Sequence, residues 1–177
     1  VTMPLGIRNY SGANIVSGNV MQFGVPIDPA RNINPDEVHL GLEEKGAAWE
    51  LTVVTLDKPF LFSNISGVLS SFGMDILRGF AFTKPSGLIL DTFHFTDEER
   101  YLELNSEAAG ELLDVLKRAV LGGLDVAARL KGREQGAFRS RLPGFAPVVH
   151  CDNESSRRYT IVEIVAEDAL GLLHRVS

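Results

Sequence analysis

Asp57 and Asp168 stand in the same local setting at two places in a chain of 177 residues. Each closes an apolar, β-branched run, with Leu51–Leu56 before the first and Val162–Ala166 before the second. Each is followed within two or three residues by a Leu-rich segment at helical spacing. Aligned on the two aspartates, 111 residues apart, Val54 falls on Val165, Leu61 on Leu172 and Ser66 on Ser177. A repeated strand–turn–helix unit points to tandem copies of a small α/β module, the second copy only a few residues into its helix at Ser177. The chemistry open to such a junction is binding. Exposed N–H groups at a helix start, together with the helix dipole, favour an anion such as a carboxylate. Asp57, just before the turn, could hold an ammonium group, and the two together would suit a free α-amino acid. The competing reading of Asp57 is a carboxylate tied to local backbone N–H groups.

Other candidate groups lead less far. Asp75 suits a turn or strand start as well as ligand contact, and Arg78, between apolar neighbours, suits a rim or salt-bridge position. His39, His94, His150 and His174 lie in different elements, and none has a second His or Cys at ligand spacing, so no metal site or cofactor is expected. There is no phosphate-binding loop with Gly-Lys-Ser or Gly-Lys-Thr and no Gly-x-Ser-x-Gly elbow. No two aspartates stand one residue apart, as metal-dependent nucleotidyl transfer would need. Catalysis within this chain therefore has no visible machinery. Cys151 excludes an internal disulfide, suits a reducing cytoplasm, and reads as a buried, inert strand thiol.

The composition, 45% hydrophobic and 23% charged, is that of a globular protein able to bury a core. A net charge of −6 argues against nucleic acid as a partner. There is no run of 18 apolar residues to span a membrane, and Val1–Gly6 lacks the regions of a signal peptide.

The elements that must position the junctions follow from periodicity. Residues 1–36 lack sustained pattern and read as an irregular arm. Val38, Leu40 and Leu42 alternate with polar positions as a strand, and Lys45-Gly46 turns into a second strand, Trp49–Leu56. Pro59 suits the first turn of a helix whose apolar stripe is Leu61, Ile65, Val68, Leu69 and Phe72, stopped by Gly73. The other face of that helix carries Ser63, Asn64, Ser66, Ser70 and Ser71 and no charge. It reads either as a contact with another domain, subunit or ligand, or as a helix simply poor in charge. Asp75–Thr83 and Leu88–Thr96 are strands joined by a turn at Lys84–Gly87. Asn105 or Ser106 caps a second helix buried through Leu112, Leu113, Leu116, Ala119 and Val120, with Leu124–Leu130 adding a turn or two. Residues 131–147 read as an exposed linker, and Val148–Asp152 and Arg158–Glu167 as strands.

Leaving the leading hairpin strand aside, the order is strand, helix, strand, strand, helix, linker, strand. That is the α+β, ferredoxin-like βαββαβ arrangement, an antiparallel sheet with its helices on one face. The expected organisation is an irregular segment over 1–36, a first domain over 37–153 that includes the linker 131–147, and the start of a second over 154–177.

The junctions resemble the signature of the ACT domain, an amino-acid-sensing regulatory module: a strand, then Asp-Arg-Pro-Gly-Leu-Leu opening a helix, then Asn-Ile starting the next strand. Asp57-Lys58-Pro59-Phe60-Leu61-Phe62 and Gly73-Met74-Asp75-Ile76 fill those places, and Asp168-Ala169-Leu170-Gly171-Leu172-Leu173-His174 is the second copy. Leu90–Phe93, and Val148 through Asp152–Ser156 to Tyr159–Glu163, resemble the tandem ACT region of the PII-protein uridylyltransferase/uridylyl-removing enzyme family. The resemblance spans roughly 38–177. It implies glutamine sensing, switching between uridylylation and deuridylylation of the PII protein, with transferase and hydrolase domains lying upstream. It also implies pairing with another ACT module in cis or trans, and a homo-oligomer. The ligand-contacting positions it implies are Asp57 to Phe62, Asp75, Ile76, Asp168, Gly171 and Leu172. The departures are Phe60, where the family has Gly, and Ala169-Leu170 for Arg-Pro. A structural pairing module that binds no small molecule is the alternative, favoured by Phe60 and the Ser-rich face.

Overall fold

A computed structural model of the chain describes residues 20–22, 25–27, 34–136 and 146–177, with side chains over 34–133 and 146–177. Two short strands, β1 (Val20–Gln22) and β2 (Val25–Ile27), pair as a hairpin inside the stretch expected to be irregular. Val20, Val25 and Ile27 are β-branched and favour extended backbone, a signal too short to register as a period.

The main sheet holds four strands: β3 (His39–Lys45), β4 (Ala48–Leu56), β5 (Asp75–Thr83) and β6 (Leu88–Thr96). Their order is β3-β4-β6-β5, with every neighbouring pair antiparallel. β4 and β5 therefore run parallel with β6 between them, joined by α1 (Leu61–Ser71) as a split βαβ unit. The β3–β4 loop is two residues, Gly46-Ala47, with Gly46 at positive φ, the tight connection that matches strand twist. The Lys84–Gly87 turn forms as expected, closed by the Gly87 N–H on the Lys84 carbonyl at 2.9 Å.

Alternation along the strands sends Leu51 and Val53 of β4 and Phe93 and Phe95 of β6 to one face, all fully buried. α1 and α3 (Ala108–Val120) cover that face with Ile65, Val68, Leu69, Leu112 and Leu116, and α4 (Val126–Gly136) adds Val126 and Leu130. An unexpected single turn, α2 (Tyr101–Leu104), is capped by Asp97, whose carboxylate accepts the Tyr101 and Leu102 N–H groups at 3.0 and 2.7 Å. The architecture is α+β and compatible with a ferredoxin-like fold.

The structure departs from expectation at the last strand. β7 (Val148–Asp152) does not join the main sheet but pairs with β8 (Ile161–Val165) in a sheet of two. The edge beside β4, where a closing strand would lie, is occupied by β3. A two-residue hairpin closes with little loop entropy, whereas β7 returns only after three helices and a long connection. The expected boundary after residue 153 thus falls between two paired strands. The second strand is also shorter than Arg158–Glu167, because residues 153–160 form bends in which Asn153 accepts the Thr160 hydroxyl at 2.7 Å. Cys151, expected to be buried, is exposed, since no further layer covers this hairpin among the described residues. The first part of the expected linker is helical, α4 running on to Gly136; 137–145 lie outside the described residues. β8 is followed by α5 (Leu172–Val176).

Candidate functional site

The two junctions share one backbone. Phe60 precedes α1 at φ 60°, ψ 20°, and Gly171, its counterpart in the repeat, precedes α5 at φ 70°, ψ 19°. The Leu61 N–H reaches the Lys58 carbonyl at 3.2 Å, as Leu172 N–H reaches Ala169 at 3.0 Å. Asn64 N–H reaches Phe60 at 2.8 Å, as Arg175 N–H reaches Gly171 at 3.1 Å. This left-handed conformation is free for glycine and strained for phenylalanine. The Phe60 side chain stands 76% exposed, so no burial offsets that strain.

The two helices that follow meet at equivalent positions. The Ser63 hydroxyl donates to the His174 carbonyl at 2.8 Å, and His174 Nδ1 lies 2.7 Å from the Ser63 carbonyl. A carbonyl only accepts, so the imidazole carries its proton on Nδ1 there. Residues 111 apart that touch each other lie on a local pseudo-twofold axis. The uncharged face of α1 is thereby explained: Ser63, Ser66, Ser70 and Ser71 are all buried, against α4 and α5 rather than solvent. A β-carbon on Gly67 would stand 2.5 Å from Val126 and 2.8 Å from His174 Nδ1. Small residues are what let the helices approach this closely.

Between the start of β5 and the second junction lies a cleft of about 500 Å³. One wall is Gly73 to Gly79, at the end of α1 and the start of β5, and the other is Asp168 to Leu173, with Glu98 at the rim. β5 carries a bulge between Ile76 and Arg78, so the ladder shifts register where it borders the cleft. Asp75 on one wall and Asp168 on the other border the same cleft, and the Asp75 pKa is raised. Loss of solvent is the main cause, and the charges of Asp168 and Glu98 add to it. Arg78 supplies a positive group in the same cleft. Leu170 and Leu173 pack from the second junction onto the main core and hold that wall in place.

Comparison with known proteins gives one consistent answer. The chain is 33% identical over 138 residues to the bifunctional uridylyltransferase/uridylyl-removing enzyme of Gluconobacter oxydans, covering 77% of this chain and 14% of that protein. It is 30% identical over 172 residues to the enzyme so named in Erythrobacter litoralis, 93% of this chain and 18% of that one. The Azospirillum brasilense enzyme of the same name is 30% identical over 149 residues, 83% and 16% of the two chains. The chain resembles one region of this enzyme. It spans less than a fifth of the length of these relatives. No family model matches the chain, and no solved structure does.

Of the ligand-contacting residues expected from the sequence, the cleft gathers Asp75, Ile76, Asp168, Gly171 and Leu172. The first junction is elsewhere. Asp57 is exposed, its N–H donating to the Gly87 carbonyl at 2.7 Å and its charge acting on Asp91. Lys58 and Pro59 form the turn before Phe60. Leu61 is in the main core, and Phe62 stacks on Phe93 with centroids 4.7 Å apart, over Gly79. Sequence reading missed Asp91, buried in the middle of β6, where desolvation raises its pKa to about 7; Asp57 adds to the rise, and a hydrogen bond from the Phe82 backbone opposes it. An aspartate among Ile89, Leu90 and Phe93 was the available signal. It also missed that His94 meets Glu50 at 3.5 Å, because the two face each other across the β4–β6 ladder. Among the described residues no group of three or more His, Cys, Asp or Glu is placed to hold a metal ion, and no helix is long and apolar enough to cross a membrane.

Proposed function

We propose that this chain is an amino-acid-sensing region, of ACT type, of a uridylyltransferase/uridylyl-removing enzyme, and that the cleft between its two units takes a free α-amino acid, glutamine in the first instance. The observation that carries this reading is the convergence of Asp75-Ile76 and Asp168–Leu172 on one cleft, though they come from different units. The α-ammonium group sits between the Asp75 and Asp168 carboxylates, and Arg78 takes the α-carboxylate. Gly171 lets the ligand approach the backbone. At the first junction Phe60 stands in that glycine's place, and Leu61 and Phe62 are committed to the core, so one site operates in this chain. The second unit begins at β7 in this reading, since β7 and β8 repeat the β3–β4 hairpin. Binding between the units fixes their relation, and the parent enzyme uses that to set uridylylation against deuridylylation of the PII protein in a cytoplasmic setting. Calorimetric titration of the 177-residue chain with glutamine and the other protein amino acids is the test. A saturable heat with glutamine that is lost in Asp168→Asn supports the reading, and no heat with any amino acid overturns it.

The reciprocal Ser63–His174 contact favours a second reading, in which the junctions serve only to pair ACT-type units. In that case the chain binds none of these ligands, and a second copy adds to the pairing. Light scattering that finds a monomer unchanged by dilution removes the self-pairing part of it.

A further inference from the structure

We propose that helix α4 is a positioning strut for the cleft, setting the spacing of its two walls through Leu130 on one side and Arg133 on the other. The proposal rests on the amino-acid reading above only for the identity of the ligand. Val126, Leu130 and Arg133 recur at i, i+4 and i+7 and so share one face of the helix. Each abuts a glycine. Val126 lies against Gly67 in α1, Leu130 against Gly171 at the second junction, and the Arg133 guanidinium against Gly73. Gly73 and Gly171 belong to opposite walls of the cleft. One rigid face therefore touches both walls from behind.

Each contact is tight. A β-carbon on Gly171 would stand 3.2 Å from Leu130 Cδ1, so the left-handed turn rests directly on that side chain. Leu130 and Val126 are 7% and 3% exposed and have no room to swing. On the other wall, Arg133 Nη1 donates to the Ser71 carbonyl at 2.9 Å, and its guanidinium lies 3.6 Å from Glu99. Arg129 donates to the Ser71 hydroxyl at 2.8 Å and covers the Phe72 ring at 4.7 Å. Two cations thus hold the C-terminal end of α1, where a helix dipole favours positive charge, and the first wall departs from that end. Neither Leu130 nor Arg133 lines the cleft. They act through the backbone they hold.

Amide exchange on the intact chain, read residue by residue, tests the strut without any ligand. In Leu130→Ala the Leu172 and Arg175 amides, bonded to Ala169 and Gly171, exchange about tenfold faster while amides of β4 and β6 keep their rates. Leu130→Met, which refills the volume, restores them. Glutamine affinity falls about tenfold in Leu130→Ala and returns in Leu130→Met. Should Leu130→Ala fail to fold, Arg133→Met at its partly exposed position loosens Gly73 and Met74 in the same way. Acceleration of all amides together, or no change at the junction, overturns the strut. Local acceleration in a chain that binds no amino acid keeps the strut and removes the sensing reading.

Discussion

Among the described residues Asp91 is the one acidic or basic side chain that is fully enclosed, at 3% exposure in the central strand β6. Burial, with the nearby charge of Asp57, moves its pKa from an ordinary 3.8 to about 7. The folded chain therefore holds this proton more tightly than the unfolded chain does. The group costs nothing below the unfolded pKa, and stability is lost progressively as pH rises through the folded one. The full penalty above that range is roughly 4 kcal/mol, and the part between about pH 5 and pH 8 is roughly 2–3 kcal/mol. Asp91→Asn removes the titration, so its stability is flatter with pH and exceeds that of the wild type at about pH 8 by roughly 1–3 kcal/mol, the amide still needing partners of its own. Urea unfolding across that range reads this directly, with the fluorescence of the single tryptophan, Trp49, which packs against the core, as the probe. Asp57→Asn should make the wild-type slope shallower without abolishing it. Parallel pH profiles for wild type and Asp91→Asn would refute the reasoning.

Three further outcomes follow from the junctions and the cleft. Phe60→Gly relieves a left-handed phenylalanine that buries little, and should stabilise the chain by about 0.5–1 kcal/mol. Gly171→Ala places a β-carbon in the same conformation against Leu130 and should destabilise the second junction by about 1–2 kcal/mol, both measurable by denaturant unfolding. Asp168→Asn removes a charge that raises the Asp75 pKa, so the Asp75 carboxyl should titrate lower when followed by NMR; an unchanged Asp75 would mean the two walls are further apart than the structure places them.

What was legible in the sequence was local. The β4–turn–α1 unit carried alternation, an apolar stripe and a closing glycine, and its strand and helix formed there, with Pro59 in the turn before α1 rather than in its first turn. The Lys84–Gly87 turn was equally self-contained. The place of β7 was not legible, because two strands competed for one sheet edge and the winner was set by chain connectivity rather than by its own residues. α4 was half legible: Leu124–Leu130 suggested a turn or two, but beyond Leu130 the helix is held by Arg133, which meets the Ser71 carbonyl and Glu99, far away in sequence. The absence of charge on α1 was visible from the start, yet only packing against α4 and α5 decided between its two readings. The cleft was legible in its parts. Asp75, Asp168 and Gly171 were each marked, but their meeting depends on Leu170 and Leu173 packing onto the main core, far away in sequence.

The repeat explains why the two junctions can differ so much. Both have the same turn, with matching hydrogen bonds on either side of a left-handed residue. In the first copy the residues after that turn are drawn into the core, Leu61 fully and Phe62 by stacking on Phe93, so the junction anchors the unit that holds the main sheet. A phenylalanine at position 60 is then tolerable, since its strain is small beside the burial that follows it. In the second copy the turn leans on the first unit's core through Leu170 and Leu173, and its backbone borders a cleft. There a side chain at position 171 would meet Leu130, and glycine is the residue that satisfies both conformation and space. Under the proposed function, duplication has separated two demands on one motif. One copy carries stability, which leaves the other free to keep an open backbone for a ligand.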